Sequence, residues 1–265
     1  MKYTLTYTDP ATALQVRCEA VTYDDFPTAE WTVYFKNNGT ADTPILEKIQ
    51  AVDTVFEPSI YGDMKLHRTK GDFCSIESYH PYVEALLPDV PKTIAPAGGR
   101  PTNYEFPYFN IETGNEGLIY VLSWAGQWST RFLQNSDNSL HITGGQELTH
   151  FTLHPGEEVR TPMAVVQFYA GDWIRAQNIW RRWMVAYNLP RPNGQVVQPQ
   201  MSLCPGNYYG PTLMSNAAQE KYFIQYYAQQ NVDFDYWWQD AGWYPCDGVG
   251  WPKTGTWECD PVRFP

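Results

Sequence analysis

The stretch that decides the fold is PQMSLCPGNYYGPTLMSNAAQEKYFIQYYAQQNVDFDYWWQDAGWY, residues 199–244. Its period changes twice. PQMSLCPG is short and strand-like, SNAAQEKYFIQYYAQQN places Ala217, Phe223, Ile224 and Tyr227 at amphipathic helical spacing, and VDFDYWWQDAGWY returns to an extended aromatic run. Strand, helix and strand with a short turn at Asn231 make one βαβ unit, the element from which parallel sheets and (β/α)8 barrels start. About one and a half such units fit between residue 199 and residue 265, whereas a barrel needs eight. The inner edge of such a sheet stays open unless something completes it.

Upstream, DWIRAQNIWRRWMVAYNLP (172–190) sets Trp173, Ala176, Ile179, Trp180 and Trp183 at helical spacing. Asp172 is the candidate N-cap, and the helix is expected to end near Asn188, before Pro190. The following RPNGQVVQPQ is rich in Pro, Gly and Gln without an apolar period and marks a linker. From residue 1 to about 170 the pattern is that of strands: LQVRCEAVTY, EWTVYFKNNGTADTPILEKIQAV, GLIYVLSWAGQWSTRFL and EEVRTPMAVVQFYAG alternate with period two. Long antiparallel sheets packed as a sandwich are the economical solution. Asn38-Gly39 lies between two strand-like runs and predicts a hairpin turn, since both residues accept positive φ. The domains expected are therefore a β-sandwich over 1–170, a connecting helix and linker over 171–198, and a truncated first βαβ unit over 199–265.

Composition narrows the partners. A chain with 18 basic and 29 acidic residues, formal charge −11, repels phosphate backbones and anionic membrane surfaces. Nucleic acid and membrane are thus excluded as expected partners. Aromatic content of 16%, with 11 Trp and 19 Tyr, suits neutral ligands that stack on ring faces, and sugars are the obvious class. Five scattered cysteines, without CxxC or matching histidine spacing, read as mostly reduced thiols, although Cys246 and Cys259 flank one loop and can bridge outside the cytoplasm. His67, His80, His141, His150 and His154 are dispersed, so neither a metal nor a cofactor is expected. MKYTLTYTDP alternates like a strand and has no apolar core of signal-peptide length, which predicts a cytoplasmic location if Met1 is the start.

The candidate site follows from position. In βα architectures the carboxyl ends of the strands line the ligand crevice, and Asp240 with Trp243 occupies that end of the second strand. Asp240 can accept sugar hydroxyls through its paired oxygens, and Trp238 or Trp243 can offer a platform to a pyranose face. The competing possibility is a loop-capping carboxylate with tryptophans packed beneath a neighbour. Asp233 and Asp235, at the start of the same strand, read as solvated or capping. FCSIESYHPYVEALLPDVP (73–91) fits either a sandwich loop that reaches a barrel mouth or an ordinary insertion.

Taken in order, EWTVYFKNNGTADTPILEKIQA, LSWAGQW, RRWMVAYNLPRP, WWQDAGWYP and GTWECDPVRFP resemble glycoside hydrolase family 36, the α-galactosidase family of clan D. The resemblance covers the whole chain. It implies a mainly β N-terminal supersandwich followed by the start of a (β/α)8 barrel that is incomplete in this chain. It also implies a retaining mechanism, in which an aspartate near the fourth barrel strand is the nucleophile and another near the sixth is the acid/base, with carboxyls about 5 Å apart. Neither position falls within these 265 residues. No catalytic residue is therefore assigned, and the chain alone is expected to be inactive.

What the resemblance carries over is a second-strand motif, commonly Asp-Asp-Gly-Trp, that holds galactose hydroxyls. Here it reads Asp240-Ala241-Gly242-Trp243, so the second acid is replaced and the sugar's identity is left open. An Asn-Ser-Trp type motif on the first strand has no close match, and CPGNYYGP offers Asn207, Tyr208 and Tyr209 instead. A Gly-Asp-Trp before the RFP turn appears as Gly255-Thr256-Trp257, and Asp260, Arg263 and Phe264 fit that turn as structural residues. The substrate-binding candidates are Asp240, Trp243, Trp238 and Asn207. The expected partners are an α-galactoside or related oligosaccharide and either a second copy of the chain or the remaining barrel. A noncatalytic carbohydrate-binding or assembly module, and a raffinose-synthase-type transferase, are the alternatives.

Overall fold

The structure is a computed structural model and describes residues 1–59, 62–204, 215–246 and 255–265. The strands of its first part are β1 (Lys2–Thr8), β2 (Leu14–Thr22), β3 (Thr28–Asn37), β4 (Leu46–Glu47), β5 (Val52–Phe56), β6 (Met64–Lys70), β7 (Pro81–Leu86), β8 (Lys92–Ile94) and β9 (Glu105–Thr113). They continue with β10 (Glu116–Ser123), β11 (Trp128–Gln134), β12 (Leu140–Gln146), β13 (His150–Phe151), β14 (Glu158–Arg160) and β15 (Met163–Ala170), before helix α1 (Trp173–Trp183). After the linker come β16 (Ser202–Leu203), helix α2 (Ala217–Gln229) and β17 (Tyr236–Trp237). The chain forms two compact units, Met1–Asn188 and Leu189–Pro265.

Period-two burial builds the first unit. Along β11 the side chains of Trp128, Thr130, Phe132 and Gln134 are buried while the residues between them are half-exposed. An antiparallel sheet of nine strands runs β1-β2-β3-β15-β10-β9-β6-β7, with β14 also on β3, and faces a four-stranded sheet ordered β5-β12-β11-β8. The shared core takes Leu66, Phe109, Tyr120 and Leu122 from the large sheet and Trp128, Phe132 and Ile142 from the small one. The Phe109 ring lies 5.1 Å from Phe132, 5.8 Å from Tyr120 and 5.9 Å from Trp128. Each such buried side chain stabilises the fold by about 1.5–3 kcal/mol relative to exposure. The sandwich expected from the alternation is what forms.

Strand β10 is buried on both faces, because α1 covers the far side of the large sheet. Ile119 and Tyr169 meet Ala176 and Ile179 there, and Trp180 stacks edge-on to Tyr108 at 5.6 Å. Asp172 caps the helix as expected, its carboxylate accepting from Arg175 N at 2.8 Å. Glu112 of β9 accepts from the Trp173 amide at 3.3 Å and pairs with His67 at 2.9 Å, which ties the start of α1 to the sheet. A single π turn over Met184–Asn188 ends the helical segment. This helix belongs to the same compact unit as the strands.

Two sequence expectations change. Asn38-Gly39 is not a hairpin turn: β3 pairs with β2, β15 and β14, and neither residue has positive φ. Buried Asn37 decides the local path instead. Its amide donates to the carbonyls of Ala41 and Leu153, both at 2.8 Å, and its oxygen accepts from Gly39 N at 2.8 Å. Gly39 is needed for close approach, since a Cβ there would lie 2.8 Å from the Thr12 carbonyl. The segment 73–91 is not all loop either, because Pro81–Leu86 form β7, paired antiparallel with β6 at a sheet edge. None of the five cysteines is in a disulfide, so Cys246 and Cys259 are not bridged.

In the second unit β16 and β17 pair in parallel, Ser202 with Tyr236 and Leu203 with Trp237. A crossover through α2 connects them, as the period changes in the sequence imply. Asn216 and Gln219 form a reciprocal capping box at the start of α2. Asp235 closes the start of β17, its carboxylate accepting from Met201 N at 2.8 Å.

Candidate functional site

The segment that follows β17 carries Trp238, Asp240 and Trp243, and is shaped by two devices. Gly242 has φ of 88°, a conformation open to glycine, which turns the chain immediately after Asp240-Ala241. The guanidinium of Arg263 then holds the turn from below. It donates to the carbonyls of Gly242, Tyr244 (2.8 Å) and Ser215 (3.3 Å) and to Asp260 Oδ2 (3.2 Å). Asp260 in turn accepts from the amides of Val262 at 2.9 Å and Arg263 at 3.0 Å. Those backbone N–H groups, Arg263's first, hold its carboxyl below the usual carboxylate range.

Asp240 is exposed, with Oδ1 accepting from Ala241 N at 2.8 Å. Trp238 is 61% exposed, while Trp243 is half-buried and lies 5.2 Å from Tyr244 and 6.2 Å from Trp257 by ring centroid. Asn207 lies outside the described residues. Trp238, Asp240 and Trp243 thus share one short segment, which offers an exposed carboxylate, an exposed indole and a half-buried one, the group types that hydrogen-bond and stack on a polyhydroxylated ring.

Two further residues belong to this neighbourhood. Trp257 is 65% exposed and sits at φ 56°, an uncommon backbone region for a bulky side chain. Glu220 of α2 is 6% exposed, and its Oε2 accepts from Trp237 Nε1 at 2.6 Å. Its Oε1 has no partner among the described residues. The sequence signal for Glu220 is faint, since an acid in the first turn of a helix is ordinarily a solvated residue. No group of His, Cys, Asp and Glu suited to a metal ion occurs among the described residues. Among the described residues no helix is long and apolar enough to cross a membrane.

The sandwich unit has a concavity of its own. A cleft of about 890 Å³ lies between the end of β5, the β9–β10 turn and α1. Phe26, Phe56, Phe168 and Leu118 supply apolar surface, and Asp25, Glu57, Glu116, Arg175 and Arg182 supply charges of both signs. This volume is that of a typical ligand cavity.

Comparison with solved structures places the fold. AgaA, described as a GH36 alpha-galactosidase from Geobacillus stearothermophilus, matches at TM-score 0.72 and 13% identity over 98% of this chain and 36% of its own. The alpha-galactosidase from Lactobacillus brevis matches at TM-score 0.67 and 13% identity, over 91% of this chain and 32% of its own. The galactosidase domain of the alpha-galactosidase-sucrose kinase AgaSK matches at TM-score 0.70 and 14% identity, over 91% and 33%. Variants of AgaA have been described in complex with stachyose and with raffinose. This chain therefore spans about a third of the length of the structures it matches, and the resemblance seen in sequence holds at the level of fold. No family model matches the chain, and no curated protein matches it in sequence.

Proposed function

We propose that this chain is part of a retaining α-galactosidase-like glycoside hydrolase acting on α-linked galactosides or related sugars. The observation that carries this reading is the fold match to AgaA along 98% of the chain, which runs through both units. Within that frame Asp240 and Trp243 belong to the pocket for the sugar at the non-reducing end. Asp240 accepts its hydroxyls, and Trp243, with Trp238, packs against its apolar face. Asn207, which lies outside the described residues, is the remaining candidate for a hydroxyl contact. With Ala241 in place of the second acid, one hydroxyl contact goes unmade, which favours sugars that lack or reorient that hydroxyl. The nucleophile and the acid/base belong to sequence beyond residue 265, and residues 1–265 alone do not turn over substrate.

The test is kinetic and uses the full-length protein. Hydrolysis of a nitrophenyl α-galactoside and of raffinose is followed with product analysis, which separates free sugar from transfer products. Asp240→Asn is expected to lower kcat/KM by about 10- to 100-fold, the worth of hydrogen bonds to a charged group. An unchanged kcat/KM removes Asp240 from the sugar pocket. Turnover by residues 1–265 alone, surviving repurification, overturns the assignment of the catalytic pair.

A second reading has its own observation. The cleft of about 890 Å³ joins aromatic surface to charges of both signs, chemistry that also suits a neutral sugar, so the sandwich can bind carbohydrate apart from catalysis. Saturable galactoside binding that survives Asp240→Asn and is lost in Arg182→Ala supports it.

A further inference from the structure

We propose that β1 is the docking edge for a second copy of this chain, the two β1 strands pairing antiparallel across a two-fold axis at Leu5. Strand β1 ends the nine-stranded sheet, so only one of its edges is bonded. Met1 and Thr22 exchange backbone hydrogen bonds, and Asp9 N donates to Leu14 O at 2.9 Å. Bonded pairs alternate along an antiparallel ladder, so Met1, Tyr3, Leu5, Tyr7 and Asp9 face β2. The amides and carbonyls of Lys2, Thr4, Thr6 and Thr8 then point to the open side.

That open edge lacks the devices that ordinarily block pairing. The β1–β2 register is unbroken from Lys2 to Thr8, without a bulge, and the strand holds no proline and a single charge at its first residue. The opposite edge of the same sheet, β7, is protected: Pro81 opens it, and Glu84 is ion-paired with both Arg68 and Lys92. Tyr3, Leu5 and Tyr7 of β1 are 46%, 56% and 67% exposed. Their cross-strand partners are Ala20, Cys18 and Val16, and beyond those Trp31, Val33 and Phe35, so they prolong the core-facing side of the sheet past its cover.

What selects a second copy as the occupant is the sequence of the strand. Tyr3-Thr4-Leu5-Thr6-Tyr7 reads the same in both directions about Leu5. Antiparallel pairing of two copies about that residue sets Thr4 opposite Thr6, each with outward amide and carbonyl, as a bonded pair. Leu5 meets Leu5, and Tyr3 meets Tyr7, at the non-bonded positions where side chains approach most closely. Apolar residues meet apolar ones along one face and threonines meet threonines along the other. An isologous interface requires this self-complementarity, whereas pairing with an unrelated strand does not. The result is one continuous sheet across the dimer.

Sedimentation velocity of the full-length protein, with and without substitutions on β1, gives the first test. The unaltered protein is expected to contain the β1 dimer contact. Leu5→Lys, which sets like charges face to face at the two-fold axis, and Thr6→Pro, which removes an outward amide without touching the β1–β2 ladder, should each halve the assembled mass. Ile76→Lys, at a fully exposed position away from β1, should leave it unchanged. Unaltered far-ultraviolet circular dichroism and thermal midpoint show that the variants still fold.

Hydrogen exchange supplies a second readout that needs no substitution. The amides of Thr4 and Thr6 should gain at least about tenfold protection as concentration rises through the dimer transition, while those of Tyr3 and Leu5 stay protected throughout. A protein whose mass ignores Leu5→Lys and Thr6→Pro overturns the proposal. So does fast exchange of Thr4 and Thr6 at every concentration. Concentration-independent protection of those amides in a monomer overturns it as well, because the cover is then the remainder of the same chain.

Discussion

One guanidinium organises the end of this chain. Arg263 reaches Gly242, Tyr244, Ser215 and Asp260, so the loop bearing Asp240 and Trp243 depends on a residue about twenty positions away. Arg263→Ala should raise local opening of residues 240–246 by roughly 1.5–3 kcal/mol, the range for hydrogen bonds to a charged donor, read as faster amide exchange at Asp260 and Phe264. Acid should have a related effect. The Asp260 carboxyl is held below its ordinary value in the folded chain, so its contribution is present above the unfolded value and is lost as pH falls through the folded one. Acid opening of this loop is therefore expected below pH ~4, followed by tryptophan fluorescence. At this scale sequence was informative where the residue type itself limits the role. Asp260 and Arg263 were legible, through the family resemblance, as structural residues of a turn, and Asp235 as a solvated or capping acid, of which the structure shows the capping role. Glu220 was not, because its burial depends on where the Trp237 indole arrives, a tertiary fact with no local signature.

Helix α1 shows what an element contributes. Of the stripe read from spacing, Trp173, Ala176, Ile179, Trp180 and Trp183, the structure buries Ala176, Ile179 and Trp183, half-buries Trp180 and leaves Trp173 exposed. Trp183 is 1% exposed and packs 4.9 Å from Trp180 and 5.6 Å from Tyr23. Trp183→Ala should cost about 3–5 kcal/mol, measured as a lowered urea midpoint with near-native m. The Asn38-Gly39 turn failed at the same scale for an instructive reason. A two-residue hairpin needs the next strand to be the pairing partner, whereas β3 takes β15 from far along the chain and has its exit path set by the buried Asn37 amide. Turn propensity lost to a satisfied buried polar group. Edge strand β7, read from sequence as part of a loop or insertion, was hidden because Pro81 opens it and Pro88 and Pro91 follow closely, and proline demotes a run to an edge strand or a loop.

At the scale of the molecule, the chain divides into two compact units, and residues 185–201, which span the boundary between them in sequence, are exposed throughout. Limited proteolysis should cut between Pro192 and Gln200 first and leave residues 1–188 as a resistant core, identified by mass spectrometry. Fold class was legible because period two and period 3.6 occupy separate stretches of the chain. The candidate sugar contacts were legible only through position at a strand end and through family resemblance, since an aspartate among tryptophans has no periodicity to mark it. One feature of the large sheet bears on how such a chain is made. Strand β3 ends at Asn37, yet β15, which pairs with it, begins at Met163. During synthesis at ~5–20 residues per second, the growing polypeptide must hold that edge open for on the order of ten seconds before its neighbour leaves the ribosome. The first three strands therefore pass through a window in which a chaperone or another nascent chain competes with β15 for the same backbone groups.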